Sequence, residues 1–368
     1  MIENLNEIRD DISSWLDKLS EDMEPGRFRF SLSESKNEIN NKSVQFVTCF
    51  AMRTAWQTGL WEEWSREKRK NCIDYIKSFQ LDNGYFYEPV IVENKEQYIK
   101  TYLKYLLGRI NANDLKNRKI YHLRADTRQS IGTLFMVGEV PNNILPMEID
   151  NLDDIKEYFN NLNWSNPWGA GSQFSHLMFI LGINRKYFGL KQNYEEYVST
   201  IMNCLDSIKD PITGTWFMGS PMDSLKINGA MKILAGLYWI NKECNEIERL
   251  IDFALDQPFL FNGCDFFNRL FVIYRAYNQN KSSYRIEDIK NLAFIALQHI
   301  DSFKKPDGGF SFFEKTASKK YYGIRVSSGG AISDLHGTAM ITWAISIICH
   351  LLGKDAPVGA DNWKIYIP

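Results

Sequence analysis

The sequence predicts an all-α protein built as an (α/α)6 toroid, in which six inner helices form a ring and six outer helices surround it. Three observations support this prediction. Segments that are apolar almost all round alternate with segments that are apolar on one face only. Each kind occurs six times along the chain. A short turn motif recurs after three of the one-sided segments, and strand signals are weak.

The inner helices are predicted from segments that have no charged face. The segment 341–348 is the clearest of them, because Ile, Trp and Ala occupy every side of the helix. Such a helix needs apolar neighbours all round, and an inner ring covered by an outer ring provides them. The six segments lie near 43–58, 126–137, 170–182, 226–240, 265–277 and 334–350.

The outer helices are predicted from segments with a one-sided apolar stripe. In 194–208, for example, Tyr197, Ile201 and Leu205 share one face. These segments lie near 65–79, 98–108, 150–160, 194–208, 245–256 and 287–303. We expect one domain over 1–368, with a helix near 4–19 as an addition within an N-terminal extension of about 1–40. The loops near 20–40, 80–96 and 304–332 are long for a compact domain, which is typical of functional loops.

Three of the one-sided segments end in the same kind of turn. The turns are 80–86, 209–217 and 304–310, and each contains polar or acidic residues, then Gly, then an aromatic residue. The Gly permits a left-handed turn, and the aromatic residue can pack back between neighbouring helices. We therefore expect the motif to be a packing device of a helical repeat.

These turns resemble the repeats of the terpenoid cyclase and protein prenyltransferase superfamily, whose fold is an (α/α)6 toroid. The last inner helix adds to the resemblance, because Asp334–Ala339 is similar to the Asp-x-Asp-Asp-Thr-Ala acid motif of class II terpenoid cyclases. His336 takes the place of the central catalytic Asp. The resemblance covers about 43–350 and implies an isoprenoid substrate. Carbohydrate-active enzymes also use helical toroids, so the fold leaves the reaction open.

Composition excludes several classes of protein. The formal net charge is −2 and basic residues are scattered, which argues against nucleic-acid binding. No apolar run is long enough for a stable membrane insertion, and the first residues lack the features of a signal peptide. The six cysteines form no CxxC pair, as is typical of reduced thiols. We expect a cytoplasmic protein that acts on a small molecule.

A candidate site follows from the predicted ring. Parallel inner helices bring their N-termini to one mouth, where free N–H groups and helix dipoles favour an anionic or oxygen-rich ligand. Polar residues recur at these helix starts. The candidate catalytic residues are His336, Asp334, His176 and Asp265. The candidate substrate-binding residues are Arg128, Trp168, Ser172, Trp216, Asn228, Lys232, Asn268 and Tyr322.

Two pairs of polar residues in the inner segments also have a purely structural explanation. Asp126 and Gln129 fit a capping box at the start of the second inner helix. Asp265 and Arg269 are four residues apart, which is the spacing of a salt bridge within one helix.

Two reactions compete on these residues. The resemblance implies cyclase-like chemistry at His336, although a buried imidazolium is a weaker acid than the family's Asp and a helix N-terminus favours its neutral form. The alternative is a lyase or hydrolase acting on an acidic saccharide. Arg128 and Lys232 would then hold the anion, with His176 or His336 as general base. Sugar rings would stack on Trp164, Trp168, Trp216, Tyr321 and Tyr322.

Neither a metal nor a cofactor is expected. The resemblance to prenyltransferases implies zinc at Cys264, Asp265 and His336, but Asn262 replaces the carboxylate of that family's Asp-x-Cys motif. A non-catalytic binding toroid is the third interpretation, because the sequence departs from both enzyme patterns.

Overall fold

The computed structural model describes residues 2–33, 44–108, 110, 112–147, 149, 151–189, 193–280 and 283–367. Within these residues the regular structure is helical, apart from one antiparallel pair of short strands, β1 (Lys320–Tyr321) and β2 (Ile324–Arg325). The predicted all-α class is confirmed. The helices are α1 (Leu5–Ser20), α2 (Gln45–Gln57), α3 (Arg66–Lys77), α4 (Pro89–Val92), α5 (Lys95–Leu106), α6 (Ala112–Lys116), α7 (Arg118–Met136), α8 (Leu152–Asn160), α9 (Pro167–Phe188), α10 (Tyr194–Asp206), α11 (Asp223–Trp239), α12 (Ile247–Leu255), α13 (Gly263–Asn280), α14 (Ile286–His299) and α15 (Leu335–Leu352).

Six helices close into the predicted ring. α2, α7, α9, α11, α13 and α15 each pack against the next, and α15 packs against α2. Five of them begin within three residues of the predicted start. The exception is α7, which begins at Arg118, so Asp126 lies inside the helix rather than at its start. The predicted capping box is therefore wrong, because capping requires a residue with non-helical dihedrals before the first turn.

The last inner helix shows why these segments carry no charged face. Every residue of α15 is buried except His336 and His350. The segment Leu335–Asp355 is long and apolar enough to cross a membrane by length and composition, but 89% of its most apolar window is buried in the protein. It is a core helix of the ring, and its hydropathy reflects neighbours on every side.

The outer layer differs from the prediction at one helix. α3, α8, α10, α12 and α14 are outer helices near their predicted positions. The predicted outer helix near 98–108 is α5, and it buries none of its residues. α1 takes the sixth outer place instead, because it buries six apolar residues and contacts both α3 and the turn at 304–310. The apolar stripe of α5 faces solvent, which a periodicity count alone does not reveal.

The repeated turns adopt one conformation. Each closes with an isolated antiparallel bridge, between Gln80 and Phe86, Lys209 and Trp216, and Lys304 and Phe310. Each contains a glycine with positive φ, and the aromatic residue that follows is buried. The predicted packing role is confirmed.

Candidate active site in the ring cavity

A cavity of about 990 Å³ opens at the end of the ring where the inner helices begin. Each of the six inner helices contributes to its lining, mostly from the first half of the helix, and the loop 312–322 covers one side. The predicted common mouth is thus present. The polar lining residues that concern the chemistry are Arg53, Arg128, Gln129, Asn228, Lys232, Asn262, Cys264, Asp265, Asn268, Tyr321, Tyr322 and His336.

The cavity walls are largely aromatic. The aromatic lining residues other than His336 are Phe50, Trp168, Phe267, Phe312, Phe313, Tyr321, Tyr322 and Trp343. Trp168 is half exposed at the rim. Such rings offer flat apolar faces, on which either a hydrocarbon chain or the C–H face of a sugar packs.

Two arginines point into the cavity from neighbouring helices. Arg53 of α2 donates from Nε to Thr133 Oγ1 at 2.8 Å and from Nη2 to the carbonyl of Gln129 at 2.8 Å. Arg128 of α7 donates to the carbonyl and the hydroxyl of Ser172 at 2.9 and 3.2 Å. Neither guanidinium has an acidic partner: the ion pairs within the described residues include neither of them. No carboxylate of the described residues therefore compensates their positive charge.

Lys232 of α11 adds a third basic group. Its side chain is half-buried, and its free surface lies in the cavity rather than on the outside of the protein. Burial, together with the nearby charges of Arg128 and Arg53 and against an opposing effect of Cys264, lowers the pKa of Lys232 to about 7. A neutral amine is therefore well populated at neutral pH.

One carboxylate of the described chain lines the cavity, that of Asp265. Asn228 and Asn262 each donate an amide N–H to it at 2.6 Å. Asn268 donates in turn to the carbonyl oxygen of Asn228 at 2.8 Å. The result is a chain of amide groups on the α11–α13 side of the cavity, and such groups suit the hydroxyls of a polar ligand.

The predicted salt bridge between Asp265 and Arg269 is absent. Arg269 turns away from the cavity and donates to the carbonyls of Ala254 and Leu255 at the end of α12. The helix C-terminus offers orphan carbonyls, which compete successfully for the guanidinium.

His336 lies at the centre of the aromatic wall. Its ring stacks on Phe312 at a centroid distance of 4.2 Å, and its Nε2 lies 3.6 Å from Cys264 Sγ. Burial lowers the pKa of His336 to about 3, and the charge of Lys232 adds to the effect. The imidazole is neutral at pH 7, as the sequence predicted, although desolvation is the main cause rather than the helix N-terminus.

Asp334 anchors the loop that covers the cavity. Its carboxylate accepts from the backbone N–H of Gly337 at 2.7 Å, of Phe312 at 2.8 Å and of Ser318 at 2.9 Å. The residue is fully buried and does not line the cavity. Burial raises the pKa of Asp334 to about 6, although these N–H groups oppose the shift. The residue named as a candidate catalytic acid thus caps α15 and fixes the loop.

The structure separates the other predicted site residues into two groups. Arg128, Trp168, Asn228, Lys232, Asn268 and Tyr322 reach the cavity together with Asp265 and His336. His176, Ser172, Trp164 and Trp216 do not line it. His176 is buried near Arg128, Ser172 accepts from Arg128, and the two tryptophans are core residues.

Sequence reasoning missed Arg53. The signal was present, because Arg53 is a charged residue in the middle of an otherwise uncharged inner segment, like Lys232. The sequence does not indicate that the backbone at Tyr322 is strained. Tyr322 has φ +45°, a conformation that bulky residues avoid, and such strain is concentrated at functional sites.

The donors for the zinc site are incomplete. Cys264 and His336 are adjacent, but the carboxylate of Asp265 is engaged by two amides. Across the described part of the chain, no group of three or more His, Cys, Asp or Glu residues is arranged to hold a metal ion. The residues present do not fit the four-ligand zinc site that the resemblance implies.

Searches against protein-family models and curated proteins find no match. Among solved structures, the chain is similar to a family 76 glycoside hydrolase from a bovine Bacteroides thetaiotaomicron strain. The identity is 9%, the match covers 94% of this chain and 78% of that chain, and the TM-score is 0.46. The chemistry of this protein has to be inferred from the residues of its own cavity.

Proposed function

We propose that the protein is a carbohydrate-active enzyme that binds an acidic saccharide in the ring cavity and cleaves it by β-elimination. One observation carries the proposal: the guanidiniums of Arg53 and Arg128 meet in one cavity beside Lys232, and within the described residues they bond to carbonyls and hydroxyls and not to carboxylates. Desolvated positive charge without an acidic partner is unfavourable unless a ligand supplies the anion. A carboxylate on the substrate would do so.

The remaining lining residues suit a sugar. Trp168, Tyr321 and Tyr322 present aromatic faces near the mouth, and the amides of Asn228 and Asn268 supply donors and acceptors for hydroxyls. A purely hydrocarbon substrate would leave the charges of Arg53 and Arg128 without a counter-charge, which is costly.

Elimination fits the cavity better than hydrolysis. A two-carboxylate glycosidase needs a second acid flanking the bond, and Asp265 is the one carboxylate that the described chain places there. In β-elimination, a base removes the proton on the carbon next to the substrate carboxylate, the C–O bond to the leaving sugar breaks, and a C=C bond forms. The leaving oxygen then takes a proton, so no water is consumed.

We assign the base to Lys232, which the sequence analysis treated as a binding residue. A base is most effective when its pKa is near the working pH, and the pKa of Lys232 is about 7. His336, with a pKa of about 3, is a weaker base and serves as a neutral hydrogen-bonding group. Arg128 holds the carboxylate. Burial raises the pKa of Tyr322 to about 12, so its phenol stays protonated and can give its proton to the leaving oxygen.

The cyclase chemistry that the resemblance implies has less support. The carboxylate of Asp334 is taken up by three backbone N–H groups, and the imidazole of His336 is neutral. Neither can protonate an alkene as an acid motif does.

The test is incubation of the protein with acidic oligosaccharides, with both ultraviolet absorbance and reducing ends measured. Elimination yields unsaturated products that absorb and new reducing ends in equal amounts. Lys232→Met should lower the rate by roughly 10²- to 10⁴-fold. Lys226→Met is the matched control, because Lys226 lies on the same helix outside the cavity, and it should retain activity.

Two outcomes would contradict the proposal. Reducing ends without absorbance would show hydrolysis in place of elimination. Turnover of prenyl diphosphates, with neither binding nor turnover of any acidic saccharide, would refute the substrate class.

A further inference from the structure

Helix α5 is amphipathic, but its apolar face is exposed to solvent, whereas an outer helix of the ring buries that face. Its apolar side chains form one continuous face, and all of them are exposed to solvent: Tyr98 by 52%, Ile99 by 58%, Tyr102 by 44%, Leu103 by 51%, Tyr105 by 38% and Leu106 by 61%. No residue of α5 is buried. Single exposed apolar residues are ordinary, but a contiguous face of six marks an interaction surface.

The polar side of α5 is the side that contacts the protein. Gln97 and Thr101 are its two half-buried residues. The side chain of Gln97 lies so close to Gly323 that a Cβ there would come within 2.5 Å of its oxygen. Asn94, which caps the helix, accepts a hydrogen bond from Arg118 at 3.0 Å. The apolar face therefore points outward, because the polar side of α5 packs on the protein.

This helix lies beside the cavity mouth. Gly323 belongs to the turn between β1 and β2, and the same hairpin carries Tyr321 and Tyr322 of the cavity lining. Lys320 of β1 lies 3.8 Å from Glu96 of α5. Helix α5, which carries the apolar face, is thus adjacent to the hairpin that lines the cavity.

The surroundings of the apolar face are basic. Exposed lysines lie on α5 itself, and further exposed cations lie on the adjoining hairpin: Lys95, Lys100, Lys104, Lys319, Lys320 and Arg325. The acidic residue among them, Glu96, is paired with both Lys100 and Lys320. The net charge of this surface is positive, although the formal net charge of the whole chain is −2.

We infer that α5 and the β1–β2 hairpin dock on an anionic lipid surface. Helices that lie in the membrane interface combine an apolar face, interfacial aromatic residues and basic residues on the polar side, and α5 has all three. Anionic headgroups complement the lysines. A second copy of this chain fits less well, because pairing two α5 faces would bring two basic rims together. Docking places the hairpin that lines the cavity close to the membrane.

The experiment is co-sedimentation of the full-length protein with lipid vesicles. We expect binding to vesicles that contain phosphatidylglycerol, weaker binding to phosphatidylcholine alone, and loss of binding as salt increases. The double variant Ile99→Asp/Leu103→Asp should weaken binding by about tenfold or more, because two apolar side chains are lost from the interface. Lys100→Gln/Lys104→Gln should weaken binding to anionic vesicles by about fivefold per lysine.

Ile295→Asp is the matched control. Ile295 is 54% exposed on the outer helix α14, so the change has the same chemistry on a different surface, and binding should be retained. Equal binding of all variants, or equal binding to neutral vesicles, would overturn the inference. So would a stable dimer in light scattering that the α5 double variant abolishes, since the occupant would then be a second copy. Vesicle binding is measured without saccharide, so it fails or succeeds independently of the proposed activity.

Discussion

The two levels of the ring differ in the charge that they bury. At the mouth, the guanidiniums of Arg53 and Arg128 have no carboxylate partners in the described chain, and Tyr322 has a strained backbone. Beneath the cavity, Tyr366 of the C-terminal segment packs against Trp343 of α15 and Gly132 of α7. Its ring lies 5.5 Å from that of Trp343, and its carbonyl accepts from Trp343 Nε1 at 2.8 Å.

This difference separates stability from function. Buried uncompensated charge and a strained tyrosine reduce stability, and they persist where a ligand interaction needs them. The lower level consists of packed apolar and aromatic groups, which stabilise the ring. Substitutions at the mouth should therefore lower activity without lowering stability, and substitutions at the lower level should lower stability.

The largest expected effect is at the mouth. Arg128→Met should lower kcat/KM for an acidic saccharide by about 10²- to 10³-fold, because the carboxylate loses its partner. The melting temperature should stay the same or rise, because an apolar side chain of similar volume replaces a desolvated charge. Steady-state kinetics and thermal denaturation of the same preparations check both parts. A large fall in melting temperature with little change in kcat/KM would show that Arg128 is structural.

The opposite signature is expected beneath the cavity. A methyl group on Gly132 would overlap the hydroxyl oxygen of Tyr366. Gly132→Ala should therefore destabilise the protein by about 1–3 kcal/mol through overpacking. Tyr366→Phe removes that oxygen, which is buried without a hydrogen-bond partner, and should cost little by itself.

The two changes should be strongly coupled. In Gly132→Ala/Tyr366→Phe, the loss should be smaller than the sum of the single losses, since the overlapping atom is gone. Urea denaturation of the four proteins measures this coupling. Strict additivity would mean that the overlap is relieved elsewhere in the ring.

A smaller effect concerns pH. Burial lowers the pKa of Lys232 to about 7, and Arg128 and Arg53 contribute. The base is active when neutral, so kcat/KM should fall about tenfold per pH unit below pH 7. Arg53→Met removes a neighbouring positive charge, so the pKa of Lys232 should rise and the acidic limb of the kcat/KM profile should move to higher pH. A limb that stays in place, or that moves down, would exclude Lys232 as the base.

Part of the site could be predicted because helix starts converge. The common register of the predicted helix starts indicates Arg128, His176, Asn228, Asp265 and His336, and all of them except His176 line the cavity. Arg128 does so from the middle of α7 and not from its start. Asp334 shows the limit of that reasoning. A polar residue at a helix start serves either a ligand or the backbone, and the three N–H groups that Asp334 satisfies come partly from a distant loop.

The fold could be predicted for a related reason. A segment such as α15 is apolar on every side, and a layered helical architecture is what accommodates it. The exchange of α1 for α5 in the outer layer could not be predicted. Both helices have an apolar stripe, and periodicity defines a face without defining what covers it.

The sequence by itself determined the helical class, the six inner segments and the repeated turns, because hydrophobic period and turn chemistry are local properties of the chain. Only the tertiary structure decided that Arg53, Arg128 and Lys232 share a cavity without a carboxylate partner in the described chain, and that the apolar face of α5 points outward. Charge compensation and burial depend on residues far apart in sequence. They become defined only when the ring closes.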